Sequence, residues 1–148
     1  MLYQLETADI LGAFYDVYNE LGYGFLEQVY QNALYKELLR RNIPCVAQQP
    51  TKVYYKGELV GNYIADIVVD DTIILELKAV SMLKEEHELQ LVNYLKATGM
   101  EVGLLLNFGK KPEVRRKIFS HSYRSSLKSA LSASSASKNP SASNIIDL

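Results

Sequence analysis

The chain predicts an α/β fold: a mixed central sheet, made of an antiparallel meander plus one parallel strand, flanked by helices. Three observations carry this. Two amphipathic helical patterns open the chain. Three strand-like runs joined by tight turns follow, and a third helical pattern then leads into a last apolar run. A helix between two strands of one sheet implies a right-handed crossover and parallel pairing.

Residues 7–21 place Ile10, Leu11, Phe14, Val17, Tyr18 and Leu21 on one helical face. Thr7 reads as its N-cap, and Gly22 and Gly24 end it. A second helix over about 25–41 carries the stripe Leu26, Val29, Tyr30, Ala33, Leu34 and Leu38, with Arg40 and Arg41 in the last turn, where the helix dipole favours cations. Glu27 falls in its first turn. It reads either as a dipole-complementing acid or as a functional one beside the stripe.

Pro44 and Pro50 bracket a linker or an edge strand. Residues 52–55 read as a strand, Lys56-Gly57 as a hairpin turn and 59–69 as the next strand, with a bulge or bend at Gly61. Asp70-Asp71 makes a second turn into a third strand, 72–78. Residues 83–98 read as a helix ended by Gly99, bringing His87, Gln90 and Tyr94 to one side; His87 reads as a satisfied, half-buried histidine. Residues 101–108 form the apolar closing strand. Gly109-Lys110 is no phosphate loop, because the glycine spacing and the missing Ser or Thr rule that pattern out.

The length of 148 residues suits one domain, assigned to 1–124, and the Ser/Ala-rich stretch 125–148 reads as a flexible tail whose end, residues 145–148, is apolar enough to dock. No apolar run approaches the ~18 residues of a membrane span, and the first residues do not resemble a secretory leader. The lone Cys45 cannot form an internal disulfide, which fits a reducing cytoplasm. A net charge of −1 argues against a generic polyanion binder. The charge is unevenly spread, however: residues 1–108 sum to −7 and 109–148 to +6. The basic segment 110–117, with Lys110, Lys111, Arg115, Arg116 and Lys117, reads as a phosphate-contacting stretch or as a solvated basic end.

The stretch 66–78 is the most informative. Glu76 and Lys78 lie two apart in a strand that should be buried on both faces, so they share one face while Leu75 and Leu77 occupy the other. The turn at Asp70-Asp71 brings Asp66 near Glu76 on the neighbouring strand. Two such carboxylates raise each other's pKa unless a cation intervenes, and hard divalent ions prefer oxygen ligands. The competing reading is a salt bridge from either acid to Lys78.

The ordered set Gly24-Phe25-Leu26-Glu27-Gln28-Val29-Tyr30, Ala65-Asp66, Glu76-Leu77-Lys78-Ala79, the run 90–99 from Gln90 to Gly99 and the run 102–109 from Val102 to Gly109 resembles the GxxExxY family of the PD-(D/E)XK nuclease superfamily. The resemblance covers about residues 7–120 and implies a restriction-endonuclease-like core. Here the Asp follows Ala rather than Pro. The resemblance further implies an Mg²⁺- or Mn²⁺-dependent nuclease acting on DNA, with Asp66, Glu76 and Lys78 catalytic. Glu27, Asp66, Glu76 and the Leu77 carbonyl are the implied metal ligands, and Gln90 and Tyr94 match a QxxxY element that contacts substrate. With Lys110, Lys111, Arg115 and Arg116 these form the expected substrate-binding set. The small surface leaves room for a homodimer or a partner protein. The alternative is a catalytically silent nucleic-acid-binding or protein-interaction scaffold of the same fold.

Overall fold

The computed structural model describes residues 4–120 and 145–147. Three helices flank a sheet whose strands lie in sequence order: α1 (Gln4–Leu21), α2 (Glu27–Arg40), β1 (Cys45–Tyr55), β2 (Glu58–Val69), β3 (Ile73–Lys78), α3 (Glu85–Thr98), β4 (Val102–Phe108), β5 (Pro112–Phe119) and the three-residue edge strand β6 (Ile145–Asp147). Only β3 and β4 pair in parallel; the other neighbours are antiparallel.

Both turns of the meander place two successive residues in the left-handed region. Lys56 and Gly57 have φ of 49° and 81°, and Asp70 and Asp71 have 49° and 53°. Two successive left-handed residues match the twist of a two-residue hairpin, and Gly and Asp tolerate that region better than other residues. Thr72 N–H closes the second turn on the Val69 carbonyl at 2.9 Å. The bulge expected at Gly61 lies beside it. Val53 faces Gly61 but Tyr54 faces Leu59, leaving Val60 over.

The sheet separates two apolar clusters. Under α1 and α2 lie Ile10, Phe14, Tyr30, Leu34 and Leu38 against Ile73, Leu75, Leu77, Leu104, Leu106 and Phe108. Under α3 lie Leu91, Val92 and Leu95 against Tyr63, Ile74, Leu105 and Phe119. Leu75 and Leu77 thus face away from Ile74, as strand alternation requires. β4 is buried along its whole length because helices cover both its faces.

Three boundaries differ from expectation. The first helix begins at Gln4, so Thr7 is a buried helical residue rather than a cap. Gln4, Leu5 and Glu6 are good helix formers and extend it. β1 starts at Cys45, seven residues earlier than the strand read from the sequence, because an edge strand accommodates Pro50. The basic segment 110–117 is largely strand. On β5, Val114 and Ile118 pack toward α1 and α2, and Phe119 packs toward α3. Arg116 and Lys117 are buried, their long aliphatic stems lining the sheet. Of the tail expected over 125–148, only Ile145–Asp147 lies within the described residues, and it pairs with β5.

Tyr30 ties α2 to the loop before it. Its ring stacks on Phe108 at 4.2 Å, and its hydroxyl donates to the Gly22 carbonyl (2.6 Å) and accepts from the Phe25 N–H (3.2 Å). Tyr30→Phe keeps the ring but strands two loop groups, so urea denaturation should show a loss of about 1–3 kcal/mol.

Candidate active site

The site begins where the alternation of β2 reverses. Ala65 packs in the cluster under α3 and Ile67 in the cluster under α1 and α2, although residues two apart should share a face. The reversal falls on Asp66. Opposite it, Gln48 has a φ of 55°, and the regular pairing of β1 with β2 skips this pair. The β2–β3 ladder runs only as far as Ile67 opposite Leu75. Beyond it the Asp66 carboxylate takes the place of a backbone acceptor and receives the Leu77 N–H at 2.8 Å. Asp66 is thereby held in the split between β2 and β3 rather than on one face.

Glu76 is 9% exposed and accepts the Tyr63 hydroxyl. Its carboxyl is pushed from 4.5 up to about 8, by burial first and then by the Asp66 carboxylate, while the Tyr63 hydroxyl, the Asp66 backbone N–H and Lys78 pull the other way. Burial also raises Asp66, against the opposing Leu77 N–H and Lys78. Adjacent core strands that bring this pair together are electrostatically costly unless positive charge joins it.

Glu27 enters from α2. Burial raises its carboxyl, Lys78 lowers it and Asp66 raises it, so the acid lies within the field of the strand residues. Its approach is set by the loop that Tyr30 anchors, in which Gly24 takes a φ of 111° that side chains rarely adopt. Glycine, acid and tyrosine of the Gly24–Glu27–Tyr30 spacing thus have distinct jobs: a turn, a charge and a brace.

The exit from β3 is clamped. Asn107, fully buried opposite Lys78, donates to the Val80 carbonyl (2.9 Å) and to Glu113 Oε1 (2.9 Å), and accepts the Val80 N–H (3.0 Å). Glu113 also receives the Leu83 N–H at 3.1 Å. A methyl group on Gly109 would stand 2.4 Å from the Val80 carbonyl, so only glycine lets this loop close. The strand therefore delivers Lys78 on a fixed path.

The remaining expected residues divide. Tyr94 stacks on Tyr63 with ring centroids 3.3 Å apart; burial first, then Glu76 and Asp66, raise its hydroxyl. Gln90 is exposed one helical turn earlier. His87 is structural: its Nδ1 accepts the Lys84 N–H at 3.0 Å at the start of α3. Arg115 is exposed, 3.9 Å from Glu88 and 3.6 Å from Glu113, whereas Arg116 is only 7% exposed. Lys117 pairs with Glu88 at 2.9 Å. Lys110 and Lys111 are exposed at the β4–β5 turn and form no ion pair among the described residues. Among those residues no three His, Cys, Asp or Glu side chains form a ready-made ligand set; the close carboxylates are the pair Asp66 and Glu76, with Glu27 at the margin.

Residues 4–117 match the PD-(D/E)XK nuclease superfamily. The chain belongs to that superfamily. Among solved structures, the crystal structure of SSO0001 is similar at a TM-score of 0.52 and 17% identity, over 94% of this chain and 71% of that one. At that identity the likeness bears on the fold, and it agrees with a restriction-endonuclease-like core. No curated protein matches the sequence. The matched stretch includes Asp66 and Glu76-Leu77-Lys78, where β2 and β3 part.

Tyr63, Asn107 and Glu113 belong to the site and escaped the sequence reading. Tyr63 lies in a strand where an aromatic is ordinary core, and Asn107 interrupts an apolar run; that interruption was the available signal.

A raised Glu76 pKa fixes a sign. The folded state holds the proton more tightly than the unfolded chain, so this contribution to stability is complete below about pH 4.5 and is lost as pH rises through about 8. In metal-free buffer the wild type should lose on the order of a few kcal/mol across that window. Glu76→Gln should flatten most of the decline in urea titrations run at several pH values.

Proposed function

We propose that this chain is a GxxExxY-type member of the superfamily and an Mg²⁺-dependent nuclease hydrolysing phosphodiester bonds in DNA. The observation that carries the reading is the half-buried Asp66 beside the buried Glu76, whose carboxyl Asp66 helps to raise, with Lys78 acting on both. The donor set suits a hard divalent cation: two converging carboxylates, with the Leu77 carbonyl and Glu27 as further oxygens. Bound there, Mg²⁺ or Mn²⁺ supplies positive charge to a phosphate and to a water molecule, making the first a better electrophile and the second a better nucleophile.

The chain's own residues do the rest. Tyr63 orients the Glu76 carboxylate, which with Asp66 would hold the ion. Asp66 is oriented by the Leu77 N–H. Lys78, on the same side of β3 as Glu76, stabilises charge developing on the phosphate. Tyr94 and exposed Gln90 line the approach from α3, and Lys110 and Lys111 add salt-dependent contacts to the backbone. No helix among the described residues is long and apolar enough to cross a membrane; a cytoplasmic protein, alone or with a second copy or partner, is the setting this reading implies.

A scaffold without turnover is the second reading. It is favoured by the lack of a three-side-chain ligand set among the described residues. Millimolar Mg²⁺ should raise the melting temperature by at least ~2 °C, and Asp66→Asn, which keeps an acceptor for Leu77 N–H, should abolish the rise. An identical melting curve with and without Mg²⁺ and Mn²⁺ supports the scaffold. Lys78→Ala should keep the metal-induced shift while DNA cleavage, followed on gels, falls by at least about a hundredfold; undiminished cleavage removes Lys78 from the chemistry.

A further inference from the structure

The loop over residues 22–26 presents apolar side chains to solvent in a place where a globule has no reason to spend them. Tyr23 is 59% exposed, Phe25 48% and Leu26 80%, and Leu26 directly precedes Glu27. Exposed apolar clusters of this kind mark binding surfaces. The loop is held from beneath: the Tyr30 hydroxyl bonds to two of its residues, Gly22 and Phe25, and the Phe25 ring meets the Tyr30 ring edge-on at 6.0 Å. Its aromatic rings are therefore presented by a fixed backbone.

A cationic turn adjoins the loop. The Tyr18 hydroxyl, one helical turn before Gly22, lies 2.7 Å from the Gly109 carbonyl and 2.8 Å from the Lys110 carbonyl. Burial, then Tyr30 and Tyr23, raise the Tyr18 hydroxyl, which puts these phenols in one corner. Phe108 joins the two sides from below, packing on Phe14, Tyr18 and Tyr30. On its other side Gly109 packs against Val80 and Ser81, just past Lys78. Exposed Lys110 and Lys111 are thus held to the last turn of α1, which runs into the aromatic loop, and to the exit of β3.

We propose that Tyr23, Phe25 and Leu26, with Lys110 and Lys111 beside them, form a docking lip for an unpaired nucleic-acid strand, whose bases stack on the aromatic loop while its phosphates meet the lysines. Stacking needs bases freed from their partners, so the lip makes single strands, flaps or frayed ends the preferred substrate of the site. This deepens the nuclease reading and rests on it. A paired duplex offers the lysines the same phosphates but hides its base faces.

The test uses the full chain and fluorescein-labelled oligothymidylate of about 12 nucleotides beside a blunt duplex of equal length, read by fluorescence anisotropy in EDTA and again in Ca²⁺. The wild type should bind the single strand at least about fivefold more tightly than the duplex. Tyr23→Ala should cost the single strand at least about fivefold and leave duplex binding unchanged. Tyr23→Phe, which keeps a ring, should bind as the wild type does, separating stacking from a folding defect. Lys110→Ala with Lys111→Ala should weaken both probes and flatten their salt dependence. Equal binding of the two probes, binding of neither, or indifference to Tyr23→Ala overturns the lip. Mg²⁺-dependent cleavage of the single strand that is indifferent to Tyr23→Ala would leave the nuclease reading standing without the lip. Ring-dependent strand binding with no cleavage would keep the lip and remove the nuclease.

Discussion

Asp66 accepts the backbone N–H of Leu77, and the arrangement around it follows from that hydrogen bond. A regular ladder would have given that N–H a carbonyl and turned Asp66 onto one face of the sheet. Reversal of the strand at this residue instead turns a side chain into a rung. The ladder stops, β2 and β3 part company, and the carboxylate is fixed beside Glu76 in surroundings poor in water. Burying two acids together is the kind of local expense that a fold retains only where something else offsets it. Lys78 and the Tyr63 hydroxyl offset part of it here.

Around this pair the structure is braced rather than flexible. Tyr30 fastens the loop that brings in Glu27, Asn107 fastens the loop that follows Lys78, and Phe108 lies between the two braces. Asn107 and Phe108 are neighbours on β4, pointing to opposite faces of a fully buried strand. One dipeptide thus stabilises both margins of the site. Small shifts in charged groups cost large factors in reactivity, which gives such bracing a chemical purpose.

Much of the architecture was legible in the sequence because it rests on local rules. Tight turns at Lys56-Gly57 and Asp70-Asp71, the two helical stripes and the parallel crossover through α3 all follow from residue type and spacing. The shared face of Glu76 and Lys78 followed from strand periodicity. What was hidden depends on tertiary pairing. β5 looked like a basic, solvent-facing stretch because Arg116 and Lys117 obscure its alternation, and their burial depends on partners elsewhere, such as Glu88 on α3. The reversal at Asp66 was equally invisible, since simple alternation predicts the opposite. Tyr63 and Asn107 are unremarkable in composition and acquire roles only through what they touch.

The pairing of β3 with β4 has a bearing on assembly. The two hairpins of the meander close over a few residues each, whereas β3 meets β4 only after the whole of α3 has been laid across the sheet. Contacts between segments distant in the chain are the slow ones to form, because the intervening loop must lose its freedom first. Asn107 reaches the exit of β3 only in that late step. A nascent or partly denatured chain therefore carries its acids on an early hairpin without the frame that aligns Lys78, and acquires an ordered centre only when the last core strand is in place.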